Sequence, residues 1–242
     1  AIGDIIAIQA MFLRPAYGLV QRPPGMSELL YHFRNWYHFC WLSGDDVPQS
    51  LVHNIDRASW VLKEQQPKWA FGLAGRSASF GEQFGDMYDH HTVVYEYTSG
   101  TRVYAMCRTQ ANTFEQCTEV ILGTKGTCDL VQCLIEPKGG SAWKYEGQVP
   151  SPLQVEQSAL IDAVRNGKPI NSGYHMYDST MITVLGQVAC YTGKYTTLNE
   201  VWKSDFNYGP QPEKVTLDMQ PPTVPDPDGN YPLPKPGITK LL

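Results

Sequence analysis

The stretch "HTVVYEYTSGTRVYAMCRT", residues 91–109, decides the fold. Both of its halves, 91–98 and 101–109, are rich in β-branched and aromatic residues that often alternate with polar ones, as in strands with one buried face. Ser99 and Gly100 lie between the halves, where a tight turn belongs, because glycine adopts positive φ at no steric cost. The stretch therefore predicts an antiparallel β-hairpin.

The same pattern recurs on both sides of this hairpin. Lys125 and Gly126 mark a second tight turn. Consecutive strands joined by short turns usually pair with one another, so we predict an antiparallel meander that forms one large sheet. Its further strands are expected at residues 2–13, 69–75, 118–124 and 127–135.

Two helices are predicted in the first quarter of the chain, after a proline- and glycine-rich loop at 14–25. The first is capped by Ser27 and runs through Trp41. The second lies within residues 44–63, with Pro48 in its first turn, where the missing N–H costs nothing.

Two more helices are predicted after the strands. Ser151 and Gln154 have the spacing of a capping box, and this helix ends at Gly167. The last helix is expected to start at Asp178 as its N-cap and to stop at Gly193.

The chain therefore belongs to the α+β class: a large, open, mostly antiparallel sheet with helices packed on one face. We assign residues 1–204 to this domain and residues 205–242 to an extended tail, because nine of the eighteen prolines follow position 209. The tail either wraps a partner subunit or is loose.

Bulk composition limits the partners. With 242 residues, a net charge of −5 and a pI near 5.7, the chain lacks the basic field that attracts nucleic acid or anionic lipid, and no apolar run approaches the length of a spanning helix. We therefore expect neither a nucleic-acid nor a membrane partner. The first residue is Ala1, so we expect a chain cut from a longer one.

Six cysteines are too sparse for a disulfide scaffold, and none forms a CxxC pair. Cys107 with Cys117, or Cys128 with Cys133, would pair across neighbouring strands in an oxidising compartment; free thiols are the alternative.

The predicted helix within residues 44–63 has two different faces. Leu51, Ile55, Ala58 and Leu62 form an apolar stripe. The opposite face, instead of solvated charge, carries the imidazole, amide, carboxylate and indole that are typical of a cleft lining. These belong to Gln49, His53, Asp56 and Trp60.

Two interpretations of His53 stay open. In one, this is an ordinary exposed face on which Asp56 pairs with His53 at the i+3 spacing. In the other, Asp56 or a backbone carbonyl orients the ring so that it exchanges a proton with a substrate hydroxyl, as histidine side chains, with an ordinary pKa of about 6.5, can do.

Other residues have the chemistry of a sugar site, which needs aromatic surfaces and hydrogen-bonding groups together. Candidate substrate contacts are Arg34, Asn35, Trp36, Arg76, His90 and Arg108. His90 and His91 are adjacent, so on a strand they point to opposite faces and cannot both bind one metal ion. We therefore predict no metal site.

With these residues identified, the sequence resembles the second domain of the Gfo/Idh/MocA family of oxidoreductases, named after glucose–fructose oxidoreductase and inositol dehydrogenase, and in particular its bacterial secreted branch. The matching stretches run in the family's order. They are "AIGDIIAIQA", "FRNWYHFCWLSGD", "QSLVHNIDRASWVL", "GLAGRS", "YDHHTVVYEYTSGTRVYAMCR", "EVILGTKG", "LIDAVRNGKPIN" and "VLGQVACYTGK".

The resemblance implies specific roles. His53 matches the family histidine that acts as acid and base toward the oxidised carbinol, and Asp56 matches the aspartate of its His-x-Ile-Asp segment. Gln49 replaces the acidic residue that many members have four positions before the histidine. The resemblance also implies a homo-oligomer formed through the sheet face. It implies a bacterial source and export to the periplasm; a cytoplasmic location stays open.

Family members bind NAD or NADP on an N-terminal Rossmann domain, which also supplies the lysine of a Glu-Lys-Pro motif. We expect that domain to be absent from this chain, so that this chain by itself binds no cofactor and the NAD or NADP of the full-length enzyme is bound elsewhere.

The leading hypothesis is the substrate-binding and catalytic-histidine half of a sugar-directed NAD(P)-dependent oxidoreductase. One rival is a stand-alone lyase or hydrolase acting on keto-sugars or glycosides. The other is a non-catalytic carbohydrate-binding or assembly partner.

Overall fold

The computed structural model describes all residues from 1 to 242 and contains one nine-stranded open sheet. The spatial order is β8-β7-β6-β5-β1-β4-β3-β2-β9, and every pair is antiparallel except β1 with β4. The α+β prediction is confirmed. The strands are β1 (Ile5–Leu13), β2 (Pro67–Gly75), β3 (His90–Tyr97), β4 (Arg102–Arg108), β5 (Gln116–Gly123), β6 (Gly126–Asp129), β7 (Leu134–Pro137), β8 (Trp143–Lys144) and β9 (Thr196–Thr197).

The predicted hairpin forms as expected. Val93 pairs with Ala105 and Tyr95 with Val103, and all four side chains are buried on the face that the helices cover. Gly100 has φ +84°, the conformation that this turn requires.

Two details of the predicted meander are wrong. β1 lies between β4 and β5 instead of at an edge, so the chain leaves β4 and re-enters the sheet one strand further on. The strand predicted at 127–135 is two strands, β6 and β7, separated by a turn in which Cys133 has φ +51°.

The position of β1 also rules out a disulfide between Cys107 and Cys117. Phe12 is paired with Cys107 on one side and with Cys117 on the other. The two cysteines are thus two strand spacings apart, about 9.6 Å, which exceeds the reach of a disulfide of about 7 Å between Cα atoms. All six cysteines are free thiols.

The first predicted helix is broken into three short pieces, which are α1 (Glu28–Arg34), a 3₁₀ turn (Trp36–His38) and α2 (Cys40–Ser43). Ser27 caps α1 as predicted. The break occurs at Asn35, whose side chain donates to the carbonyl of Gln83 and accepts from the N–H of Val20. These tertiary hydrogen bonds override the helical pattern.

The next helix begins with a π turn (Val47–Leu51) and continues as α3 (Val52–Val61). Pro48 occupies its first turn, as predicted. The apolar stripe is confirmed, since Leu51, Ile55, Ala58 and Leu62 are all buried in the core between α3 and the sheet.

Three helices follow, α4 (Pro152–Arg165), α5 (Gly173–Thr192) and α6 (Leu198–Lys203). The predicted capping box is wrong, because Ser151 makes no capping hydrogen bond. The predicted start of α5 at Asp178 is also wrong, because the helix begins at Gly173, whose N–H donates to the side chain of Asn171. α5 ends at Gly193 in the left-handed conformation, as predicted.

The proline-rich tail contacts its own domain. Tyr231 is buried against Tyr31 and Phe39, and its hydroxyl donates to Glu28. Further along, Leu241 joins the main core. No helix of the structure is long and apolar enough to cross a membrane.

Candidate functional site

A polar cleft opens where β1 ends. Arg14 directly follows the last residue of β1, and the cleft is bounded by the loop after it, by the 3₁₀ turn and by the π turn. The lining residues are Arg14, Ala16, Tyr17, Tyr37, His38, Gln49, Arg76, Ser79, Phe84, Met87, Tyr88, Asp89 and Thr109.

Arg14 organises one wall of this cleft. Its guanidinium donates to Asp46 Oδ1 at 2.5 Å and to Ser50 Oγ at 2.7 Å, and it stacks 3.4 Å above the ring of Tyr17. Asp46 is 1% exposed, and burial raises its carboxyl pKa although Arg14 opposes this. The pair fixes the π turn, and with it Gln49, against the end of β1.

Several buried polar atoms at this cleft have no hydrogen-bond partner. They are Nε of Arg14, Nε2 of His38 and Nε2 of Gln49. A buried unsatisfied polar group costs about 1–3 kcal/mol, so such atoms are expected where water or a ligand completes the hydrogen bonds. The open space in the cleft is about 10 Å³, which is room for about one water molecule, so these three atoms mark where water or a single ligand hydroxyl would complete the hydrogen bonds.

His38 contributes a neutral imidazole to this cleft. Burial lowers the pKa of His38 to about 4, in part offset by a backbone hydrogen bond to Tyr17. A neutral ring has one donor and one acceptor nitrogen, which suits an uncharged hydroxyl.

His53 lies one helical turn after Gln49 and is exposed. Its ring is 6.3 Å, centroid to centroid, from that of Phe12 on β1, and no hydrogen bond or ion pair in the structure involves it. The imidazole is therefore free to meet a group that approaches this face.

Asp56 does not orient His53, so this part of the prediction is corrected. Its Oδ1 lies 2.7 Å from Nε2 of His175 on α5 and accepts a hydrogen bond of 2.6 Å from Ser179. The carboxylate is directed toward α5 because that helix packs beside α3.

Three neighbouring candidates fall in different environments. Arg34 is exposed and makes no ion pair or hydrogen bond. Asn35 is buried, and its side chain is engaged with backbone groups, so it is not free to contact a substrate. Trp36 is 41% exposed and stacks 3.8 Å from Tyr37, a cleft residue.

Arg76 reaches the cleft, but its guanidinium is already occupied. It donates to the carbonyls of Phe84, Gly85 and Met87, which fixes the 84–87 segment. Burial lowers the pKa of Arg76, opposed by nearby aspartates including Asp45.

Arg108 and His90 lie beside the cleft. Arg108 donates to the carbonyl of Phe114 at 2.5 Å. Nδ1 of His90 is 2.7 Å from Asp89 Oδ1, and Asp89 also accepts from the N–H groups of Ser77, Ala78 and Ser79.

These contacts explain the unusual acidity of Asp89. Burial works against the carboxylate, but the backbone hydrogen bonds and His90 outweigh it and lower the pKa of Asp89 to about 2.

His90 and His91 point to opposite faces of β3, as predicted. The Nε2 of His91 is buried 3.0 Å from Oδ2 of Asp45, and the adjacent carboxylate raises the pKa of His91 although burial opposes this. No group of three or more histidine, cysteine or acidic side chains is placed to hold a metal ion.

Comparison with known proteins gives a clear result for the fold only. No family model and no curated protein matches the sequence. Among solved structures, a Thermotoga maritima protein described as an oxidoreductase superposes with a TM-score of 0.62 at 15% identity, covering 81% of this chain and 56% of that one. Levoglucosan dehydrogenase, in complex with NADH and levoglucosan, gives 0.60 at 14% identity, covering 82% and 60%.

The chain has the fold of the C-terminal domain of the Gfo/Idh/MocA-type oxidoreductases. The super-repressor mutant of Gal80p from Saccharomyces cerevisiae is also similar, with a TM-score of 0.57, 14% identity and coverage of 83% and 59%. The chain spans a little over half the length of each of these structures.

The residues of this domain do not by themselves fit a nicotinamide dinucleotide. Such a cofactor binds where a parallel strand turns through a glycine-rich loop into a helix. Here the only parallel pair is β1 with β4, and β1 is followed by the long loop that contains Arg14, Tyr17 and Pro23.

Sequence reasoning missed Arg14, Tyr17 and His38. The sequence did indicate a position for Arg14, since a charged residue that directly follows a buried strand lies at the edge of the sheet. For His38 the sequence offered no such indication, because a polar residue within an aromatic segment can face any cavity.

Proposed function

We propose that this chain is the substrate-binding and catalytic-histidine domain of a sugar-directed NAD(P)-dependent oxidoreductase, which transfers hydride at a sugar carbinol. One observation carries the proposal: the polar cleft, with three unpartnered buried atoms, lies one helical turn along the chain from the free ring of His53. The fold that the chain shares with levoglucosan dehydrogenase supports it.

The cleft and the surface beside it offer both kinds of contact that a sugar needs. Nε2 of Gln49 and Nε of Arg14 are donors without partners, and neutral His38 offers either a donor or an acceptor. The stacked rings of Trp36 and Tyr37 supply an apolar surface against which a pyranose face packs.

We assign the proton transfer to His53. Its imidazole accepts a proton from the carbinol hydroxyl as hydride leaves the carbon and returns it in the reverse direction. Gln49 is neutral, so the charge that many relatives place beside the histidine is absent, and the proton is held by the imidazole alone. A nicotinamide bound by a nucleotide-binding module would supply the redox chemistry.

The first experiment is the intact mass of the protein as purified, its ultraviolet spectrum, and titrations with NAD, NADH and a panel of hexoses and inositols. We expect sugar binding to the chain itself, detected by calorimetry. We also expect nicotinamide reduction only when a nucleotide-binding polypeptide is present. His53→Ala should leave sugar affinity within about twofold and lower kcat by roughly 10²–10⁴-fold.

A matched control is His175→Ala, which removes a second partly exposed histidine that is paired with Asp56. It should leave kcat unchanged. Turnover of a keto-sugar or glycoside with no nicotinamide, lost in His53→Ala, would instead establish the stand-alone lyase or hydrolase. Equal activity of His53→Ala and His175→Ala would contradict the assignment of His53.

The non-catalytic alternative is favoured by one observation, since the super-repressor mutant of Gal80p has a similar fold. In that case the sugar cleft binds a ligand without turnover. Saturable sugar binding with no turnover under any cofactor condition would support this alternative.

We also propose a homo-oligomer formed through the outer face of the sheet. Alternation along the strands directs Phe71, Leu73, Tyr104 and Leu122 away from the helices, and these side chains are between 38% and 77% exposed. Exposed apolar side chains gathered on one sheet face are typical of a subunit interface.

A further inference from the structure

A second cavity lies on the other side of the π turn from the polar cleft described above, here called the sugar cleft. It is a groove between α2, α5, α6 and the last residues of the chain, with a volume of about 550 Å³. Of its 18 lining residues 11 are hydrophobic, and none has a charged side chain. It has no lining residue in common with the sugar cleft.

The floor of the groove is a face of α5. Met181, Val184 and Val188 follow one another at helical spacing and line the groove together. Met181 and Val184 are only partly buried, whereas every other residue from Ile182 to Thr192 is buried. The opposite wall carries Trp41 and Phe206.

Hydrogen-bonding atoms without partners are placed along this apolar surface. Gln187 lines the groove, is 2% exposed, and its Nε2 has no partner. The hydroxyl of Tyr208 is likewise buried and unpartnered. Tyr208 is shared with an adjoining cavity, lined also by Thr223, whose Oγ1 has no partner either.

A buried amide donor without an acceptor destabilises a fold by about 1–3 kcal/mol. Together with those of the sugar cleft, these atoms account for most of the unpartnered buried polar atoms in the chain, and both groups lie at cavities. In the sugar cleft the surroundings are polar, whereas here they are apolar, so the two cavities suit different molecules.

The lining determines the chemical class of the occupant. A charged ligand would lose its hydration with no opposite charge to compensate, which is costly in an apolar site. A purely apolar ligand would leave Gln187 unsatisfied. The volume is that of a small-molecule pocket.

We propose that this groove binds an uncharged amphipathic small molecule, with its apolar body along Met181, Val184 and Val188 and a carbonyl or hydroxyl oxygen that accepts from Nε2 of Gln187. The site is separate from the sugar cleft and does not depend on the proposed function.

The test uses 1-octanol and octanoate, which have the same chain length but differ in charge. The chain, labelled with ¹³C in the methionine methyl groups, is titrated with each probe. We expect 1-octanol to shift the Met181 resonance saturably and octanoate to bind at least about tenfold more weakly. Equal affinity for the two probes would overturn the proposal of an uncharged ligand.

Two variants locate the site. Val184→Trp fills the groove and should weaken octanol binding at least about tenfold, whereas Val164→Trp on exposed α4 makes the same change elsewhere and should not. Gln187→Leu should weaken octanol binding and leave the binding of octane unchanged. If Val184→Trp fails to fold, as judged by its thermal transition, Gln187→Leu decides alone.

Three results would overturn the proposal. The first is no saturable shift of Met181, and the second is octanol binding that survives both Val184→Trp and Gln187→Leu. The third is found by light scattering on the same samples: a dimer that Val184→Trp dissociates would show that a second copy of the chain covers the groove.

Discussion

Oδ1 of Asp56 on α3 lies 2.7 Å from Nε2 of His175 on α5. This contact joins the two helices that pack side by side on the sheet, and the hydroxyl of Ser179 donates to the same carboxylate oxygen. Its consequence for function is that the histidine proposed for catalysis, His53, stands free of the carboxylate three residues away.

We predict that Asp56→Asn loosens the first two turns of α5 without unfolding the domain. Both partners are partly exposed, so the loss in free energy of unfolding should be about 0.5–1 kcal/mol. Amide hydrogen exchange of residues 173–179 should accelerate. Glu64→Gln is the matched control, since Glu64 is 68% exposed and 3.4 Å from the other ring nitrogen of His175. Equal exchange in both variants would contradict the prediction.

Arg14→Met should strongly destabilise the chain, because Asp46 would remain buried without its cation. Removing one partner of a buried ion pair typically costs about 3–5 kcal/mol. Urea unfolding at neutral pH measures this, with Arg34→Met as the control at an exposed arginine without contacts, expected within about 0.5 kcal/mol of wild type. A loss below about 1 kcal/mol for Arg14→Met would show that the pair is not needed.

Asp89 should make stability depend on acid pH. Because hydrogen bonds lower its pKa to about 2 from the ordinary 3.8, its contribution is fully present above about 3.8 and is lost as pH falls through about 2. Asp89→Asn should cost about 1–2 kcal/mol at neutral pH, and the gap from wild type should close in strong acid. Urea titrations of wild type and Asp89→Asn, at neutral pH and in strong acid, measure the difference in free energy of unfolding. A difference that does not change with pH would refute the prediction.

Tyr231→Ala should release the tail. The ring is 3% exposed and packs against Tyr31 and Phe39, so the free energy of unfolding should fall by about 3 kcal/mol, and protease should cut the chain after position 204 sooner. Tyr195→Ala, at a ring that is 58% exposed, is the control. Unchanged proteolysis in Tyr231→Ala would mean that other contacts hold the tail.

Leu73→Lys tests the sheet face as a subunit interface. Leu73 is 77% exposed on β2, and a charge in the centre of an apolar interface should convert the oligomer to monomer, as seen by light scattering. Leu217→Lys makes the same change at a tail residue that is 74% exposed and should leave the mass unchanged. A monomeric wild type would contradict the oligomer directly.

Local patterns were enough wherever a residue's environment follows from its neighbours in sequence. The hairpin at 91–109, the apolar stripe of Leu51, Ile55, Ala58 and Leu62, and the glycine at the end of α5 all formed as predicted. Periodicity fixes which face of an element is apolar, and a hydrophobic face has one stable place, against the core.

Contacts between distant segments were beyond local reasoning. Asn35 interrupts a helical pattern because it bonds to Val20 and Gln83, and Asp56 turns to His175, which is 119 positions away. The helix pattern around His53 was correct, yet it could not say which side chain would meet the ring.

The sequence by itself determined the fold class, the sheet and the exposed position of His53, since these depend on short-range alternation of apolar and polar residues. Only the tertiary structure decided where β1 enters the sheet and that Arg14, His38 and Gln49 converge on one cleft. It also decided that Gln187 faces an apolar groove. Such sites are assembled from residues far apart in the chain, and their unpartnered atoms exist only once the core has excluded water from them.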